Sequence, residues 1–137
     1  MDHDEILEGV KRCLLDCVRV TEDKIGLKSK LLADLGADSL DLLDVIFSLE
    51  RAFKIKIKQG EIERLAREGI PPNEFEENGL LKAAGVARLR EILSEVPPED
   101  IREGMHTAQI PYLFTVETLV KIVQRSLTDK AKEGQAP

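Results

Sequence analysis

The stretch Asp34-Leu35-Gly36-Ala37-Asp38-Ser39-Leu40-Asp41-Leu42-Leu43-Asp44 decides how this chain is read. A glycine bend and two aspartates surround a serine that stands directly before an apolar run. Leu42, Ile46, Leu49 and Phe53 recur at i, i+4, i+7 and i+11, the spacing of one buried helix face. A helix is therefore predicted over 39–53. Ser39 suits its N-cap or first turn, and Asp38 and Asp41 sit where the helix dipole favours negative charge. Leu40, Leu43 and Phe47 fall on a second arc, which Ser39 borders and which Asp44, Glu50 and Arg51 share. Apolar residues mixed with charges on that arc point to a partner rather than to the core.

On the N-terminal side, Ile6, Val10, Cys13, Leu14 and Cys17 mark one face of a helix over 4–18. Residues 19–37 read as a long connection, with Leu27, Leu31, Leu32 and Leu35 to lie across a core and bends at Gly26 and Gly36. On the C-terminal side, Lys54-Ile55-Lys56-Ile57-Lys58 alternates, as an extended segment with both isoleucines inward would. The following region is punctuated by Pro71-Pro72 and Pro97-Pro98. Helices are expected there over 60–68, ending at Gly69, and over 83–95, with Val86, Leu89, Leu93 and Val96 as the stripe of the second. A last helix is predicted over 115–127, capped by Thr115 and burying Val116, Leu119, Val120, Val123 and Leu127. The polar end from Thr128 reads as a disordered tail.

The chain has 137 residues, 42% of them apolar, which allows a modest core. Its net charge of -6 argues against nucleic acid, which demands a basic footprint, and favours basic patches on other proteins. No apolar run reaches the roughly 18 residues of a membrane span. The acidic start Met1-Asp2-His3-Asp4-Glu5 is unlike a signal peptide, so a cytoplasmic protein is expected. Cys13 and Cys17 are too far apart on one helix for a disulfide and make a poor zinc site without further ligands. Both are expected in the core.

Three roles are open to Ser39. It could be a cap and nothing more. As a nucleophile it would need a base and a group to orient that base, and the chain offers only His3 and His106, with no Gly-x-Ser-x-Gly elbow. The third role is an attachment point. Here the run 34–44, together with Leu49-Glu50-Arg51-Ala52-Phe53, resembles the acyl carrier protein family. The resemblance spans 4–58 and resumes at 115–127, where Thr115-Val116-Glu117-Thr118-Leu119-Val120 is similar to the start of that family's final helix.

The resemblance implies an all-α fold, an acyl-carrier-like four-helix bundle with an additional inserted helical segment. It divides the chain into a carrier bundle at 1–58 and 113–128, an insertion at 59–112 and a tail at 129–137. It also implies that Ser39 carries a covalent 4'-phosphopantetheine arm, installed from coenzyme A by a phosphopantetheinyl transferase. Acyl groups would ride on the arm's thiol as thioesters, with no catalytic residue and no metal in the carrier itself. Partner enzymes with basic patches would dock on Asp38, Leu40, Asp41, Leu43, Asp44, Phe47 and Glu50, and the carrier would be a monomer. Arg51 and Lys54, Lys56 and Lys58 depart from the family's acidic pattern, which points to a specialised fatty acid or lipid biosynthesis pathway. Polyketide or aminoacyl cargo is an alternative. So is a non-covalent acidic interaction module of the same fold, in which Ser39 only caps.

Overall fold

Asp2 caps the first helix, its side chain accepting the Glu5 N–H. A computed structural model describes residues 2–58 and 60–134. In chain order its α-helices are α1 (His3–Cys17), α2 (Ser39–Phe53), α3 (Glu61–Arg67), α4 (Pro72–Phe75), α5 (Ala83–Ile92) and α6 (Val116–Gly134). Strands β1 (Glu76–Glu77) and β2 (Leu80–Leu81) form a small antiparallel hairpin between α4 and α5. Short 3-10 turns lie at Glu22–Lys24, Pro98–Asp100 and Thr107–Leu113. The fold is accordingly all-α in class and acyl-carrier-like.

The chain divides into two compact units, Met1–Ile57 with Thr115–Pro137, and Lys58–Phe114. The first is built on α1, α2 and α6. Gly9 of α1 lies against the Phe53 ring, while Cys17 at the other end of α1 lies beside Ser48 and Asp44, so α1 and α2 run antiparallel. The core takes Ile6, Val10 and Leu14 from α1, Val45 and Leu49 from α2, and Val116, Leu119, Val120 and Val123 from α6. Ile25, Leu31 and Leu35 of the long connection are buried as well. The same connection supplies carbonyls to the start of α6: Ser29 accepts from the Val116 N–H and Leu27 from the Glu117 N–H. Thr115 and Thr118 complete that end, each hydroxyl accepting the other's backbone N–H. The N–H groups that a helix start leaves orphaned are thus bonded although the site is buried.

Residues 55–58 follow α2 outside any helix or strand of the described residues. Lys54 takes the left-handed conformation that ends α2, and Ile55 is buried while Lys54, Lys56 and Lys58 are exposed. Lys130 of α6 donates to the Lys54 carbonyl, 2.8 Å away, which ties the C-terminal part of α6 to the end of α2.

The second unit has its own core of Ile62, Leu65, Phe75, Leu81, Val86, Leu89, Leu93, Val96, Ile101 and Ile110. Gly85 is required there, because a Cβ would lie 2.7 Å from the Phe75 carbonyl oxygen. Arg67 stacks on the Phe75 ring at 4.4 Å and pairs with Glu76 at 3.1 Å. Arg90 gathers the carbonyls of Pro98 and Ile101 and so holds the loop after α5.

Several expectations change. The helix predicted over 83–95 stops at Ile92, although Leu93 and Val96 remain buried in the turn beyond it. The hairpin was not foreseen, because two-residue strands leave no periodic signal. The helix predicted over 115–127 continues to Gly134, since the polar residues after Leu127 contain no Pro or Gly to stop it before that point. Of the expected tail, 135–137 lies outside the described residues. Cys17 is half-buried rather than in the core.

Candidate functional site

The turn leading to Ser39 is built from local bonds. The Lys30 N–H donates to the Asp34 carboxylate at 2.8 Å, and Gly36 has a positive φ of 72°, which glycine adopts without strain. The Ala37 N–H then reaches the Leu31 carbonyl, and Ala37 is buried. Two residues later α2 begins.

Asp38, not Ser39, is the N-cap. Its carboxylate accepts the Asp41 N–H at 2.8 Å, and the Asp41 carboxylate accepts the Asp38 N–H at 3.1 Å, a reciprocal capping box. The cap reading of Ser39 is thereby corrected: an aspartate accepts at least as well, and it already occupies the position. Ser39 is the first helical residue and is exposed, and its hydroxyl has no hydrogen-bond partner among the described residues. The N–H groups of Ser39 and Leu40 are likewise without an acceptor among the described residues. An exposed hydroxyl, two open N–H donors and the positive end of a 15-residue helix dipole are thus together at one point.

This arrangement fits a phosphodiester. The ester would form on the free hydroxyl, and the open donors and dipole favour an anion there. No displacement of an existing bond is needed.

The other residues of α2 and its cap form an exposed arc, a set of backbone-bonded carboxylates and a buried arc. Leu40 is 72% exposed, Phe47 48% and Leu43 36%, and Asp44 and Arg51 are exposed beside them. At 100° per residue these five lie within one arc, directly opposite the buried arc. Asp38, Asp41 and Glu50 behave differently, for each has a carboxylate oxygen bonded to backbone. Glu50 is half-buried and accepts the Ile57 N–H at 3.0 Å, which pins the segment after α2. The buried arc itself is Val45, Leu49 and Phe53, with Leu42 and Ile46 only half-buried. It is turned by about 30° from the one periodicity predicts, and Val45 is the residue that reading missed.

Cys17 lies beside this face. Burial pushes its thiol above the ordinary value of 9.0, Asp44, Cys13 and Asp16 add to the rise, and a hydrogen bond with Ser48 opposes it. Such a thiol stays protonated at neutral pH and is a weak nucleophile. Among the described residues no group of His, Cys, Asp and Glu could hold a metal ion. No helix of the described residues is long and apolar enough to cross a membrane.

A helix start that offers an unused serine hydroxyl, above an exposed strip of apolar and acidic residues, has the architecture of a protein that other proteins load. The family model described as "Phosphopantetheine attachment site" matches residues 8–67, which contain Ser39 and all of α2. The chain is 36% identical over 62 residues to an acyl carrier protein of Campylobacter lari, a match covering 45% of this chain and 80% of that one. It is 38% identical over 61 residues to an acyl carrier protein of Campylobacter hominis, covering 44% and 77%. With one of Thermotoga maritima it shares 35% over 66 residues, covering 48% and 82%. The chain belongs to the acyl carrier protein family, and 4'-phosphopantetheine is its prosthetic group.

Proposed function

We propose that Ser39 carries the 4'-phosphopantetheine arm and that the protein presents acyl intermediates to partner enzymes. The arm, when bound, supplies a thiol that holds an acyl group as a thioester. The chain's own residues present and orient it. The observation that carries this reading is the division of labour at the helix start: Asp38 caps, and Ser39 is left with an exposed, unbonded hydroxyl. A serine nucleophile is activated by an adjacent base held by a third group, whereas the carboxylates next to Ser39, Asp38 and Asp41, hold each other's backbone N–H in the capping box. A separate transferase therefore activates the hydroxyl, and the carrier is not itself an enzyme.

In this reading the docking strip is Leu40, Leu43, Asp44 and Phe47, flanked by Asp38, Asp41 and Glu50. The aspartates attract a basic partner and the apolar residues supply contact area. Arg51, Lys54 and Lys56 interrupt the acidic surface at the far end of α2, which supports a dedicated set of partners in a specialised fatty acid or lipid pathway. The expected setting is the cytoplasm.

The test is direct. Incubation of the purified chain with coenzyme A, magnesium and a broad-specificity phosphopantetheinyl transferase should add the mass of one arm. Ser39→Ala should abolish the gain. An unmodified wild type would overturn the reading and leave a non-covalent interaction module.

A further inference from the structure

The outward strip of α2 changes sign along its length. Asp38, Asp41 and Asp44 stand at the Ser39 end. Beyond Asp44 the helix has one carboxylate, Glu50, and that group accepts the Ile57 N–H at 3.0 Å. Arg51 follows Phe47 by one turn on the same exposed arc, and Lys54 ends the helix, exposed. Lys56 is exposed just beyond it. α6 brings a fourth cation to this end, because the Lys130 Nζ donates to the Lys54 carbonyl at 2.8 Å.

None of Arg51, Lys54 and Lys56 has a carboxylate within ion-pair distance among the described residues. The negative end of the helix dipole favours cations in the last turn, which accounts for Arg51 and Lys54 as helix stability. It does not call for Lys56, which lies past the helix, or for Lys130, which comes from α6. Like charges gathered in this way repel one another, and a complementary anionic surface relieves the repulsion. The rise along a helix puts Arg51 about 10 Å and Lys54 about 15 Å beyond Asp44. One docked protein covers a face of that length.

We propose that the basic end of α2 selects the partner. It pairs with an acidic patch on the enzyme this carrier serves, and it repels enzymes whose docking face is basic throughout. The partner's face therefore has a basic patch and an acidic patch about 10–15 Å apart, with apolar contact between them. The inference rests on α2 as the docking face and on Ser39 as the attachment point, and adds to that reading the charge pattern of the partner. A protein suits the strip better than an anionic lipid surface, which the aspartates at its other end would repel.

A broad-specificity transferase with a basic carrier-binding face serves as the probe. Arm transfer from coenzyme A to the full chain is followed by intact mass, for kcat and KM, at about 20 mM and about 500 mM salt, where screening is weak and strong. Arg51→Glu with Lys54→Glu should raise kcat/KM at least about threefold at low salt, through KM, and the gain should shrink at high salt. Arg51→Gln with Lys54→Gln, which does not oppose the helix dipole, should give a smaller gain in the same direction. Asp44→Asn should lower kcat/KM. Arg102→Glu, an exposed charge reversal outside the strip, should leave it nearly unchanged. When basic residues of the transferase face are changed singly to Glu, at least one change should speed transfer to the wild type and slow transfer to the Glu variant. Equal rates for the wild type and both double variants, a gain matched by Arg102→Glu, or no such reciprocal position would overturn the selection and leave the attachment reading intact. Sedimentation of the wild type with phosphatidylglycerol vesicles, lost in the Glu variant, would overturn it in favour of a lipid surface. A wild type that gains no mass would overturn the attachment reading and this inference with it.

Discussion

At Ser39 the decisive fact is what its neighbour does. Asp38 bonds the Asp41 N–H, and so the serine is not drawn into capping. Asp38→Ala should destabilise the fold by about 1 kcal/mol, the typical value of a lost N-cap, readable as a lower midpoint in urea unfolding. Asp38→Ser should restore most of it. Cys17 gives a second residue-scale expectation. Its thiol is raised above 9.0 in the folded state. Above that pH the unfolded chain releases the proton before the folded one does, so stability falls as pH rises through and beyond about 9. It is fully retained below that range. Cys17→Ser should flatten this decline in a series of unfolding midpoints from pH 8 to 10.5, and wild-type Cys17 should react slowly with a maleimide at pH 7.

At the scale of the element, α2 is a helix with two employed faces. Val45, Leu49 and Phe53 hold it to the core, and Leu40, Leu43 and Phe47 face outward on the opposite side. Phe47→Glu should change unfolding free energy by no more than about 0.5 kcal/mol, as surface substitutions do, and should slow arm transfer in the mass assay through weaker docking. A large loss of stability would place Phe47 in the core instead. Glu50 belongs to the structure as much as to the surface, because its carboxylate holds the Ile57 N–H. That bond joins residues seven apart across the end of a helix, beyond the reach of any helical spacing rule. Periodicity places α1, α2 and the bulk of α5 and α6, since a 3.6-residue repeat of Leu, Ile and Val is a direct record of which side faces a core. Resolution finer than an arc is lost, and for this reason Val45 escaped notice. Neighbouring residues on a helix lie 100° apart, so a wide apolar stripe admits more than one centre.

At the scale of the whole molecule, the second unit interrupts the first between Ile57 and Thr115. Each unit has a separate hydrophobic core, and a unit with its own core can be removed without hollowing out the other. Replacement of 58–114 by a flexible Gly-Ser linker should leave a helical protein, by circular dichroism, that still gains the mass of one arm at Ser39. Collapse of the helical signal would show that the carrier unit depends on the insertion. The linker cost grows only slowly with its length, so a generous linker keeps the test fair.

Read alone, the sequence determined the helix of Ser39, its outward strip and the family to which the chain belongs. All three are written in short-range order, where spacing, capping chemistry and a contiguous motif act within a few turns of chain. The tertiary structure decided the rest. It gave the cap to Asp38 and freed the serine, gave Glu50 a loop to hold, turned the buried arc onto Val45, and closed residues 58–114 around a core of their own. Each of these depends on which groups meet after the chain has folded back on itself, and hydrogen bonds and packing across such contacts leave no periodic trace along the chain.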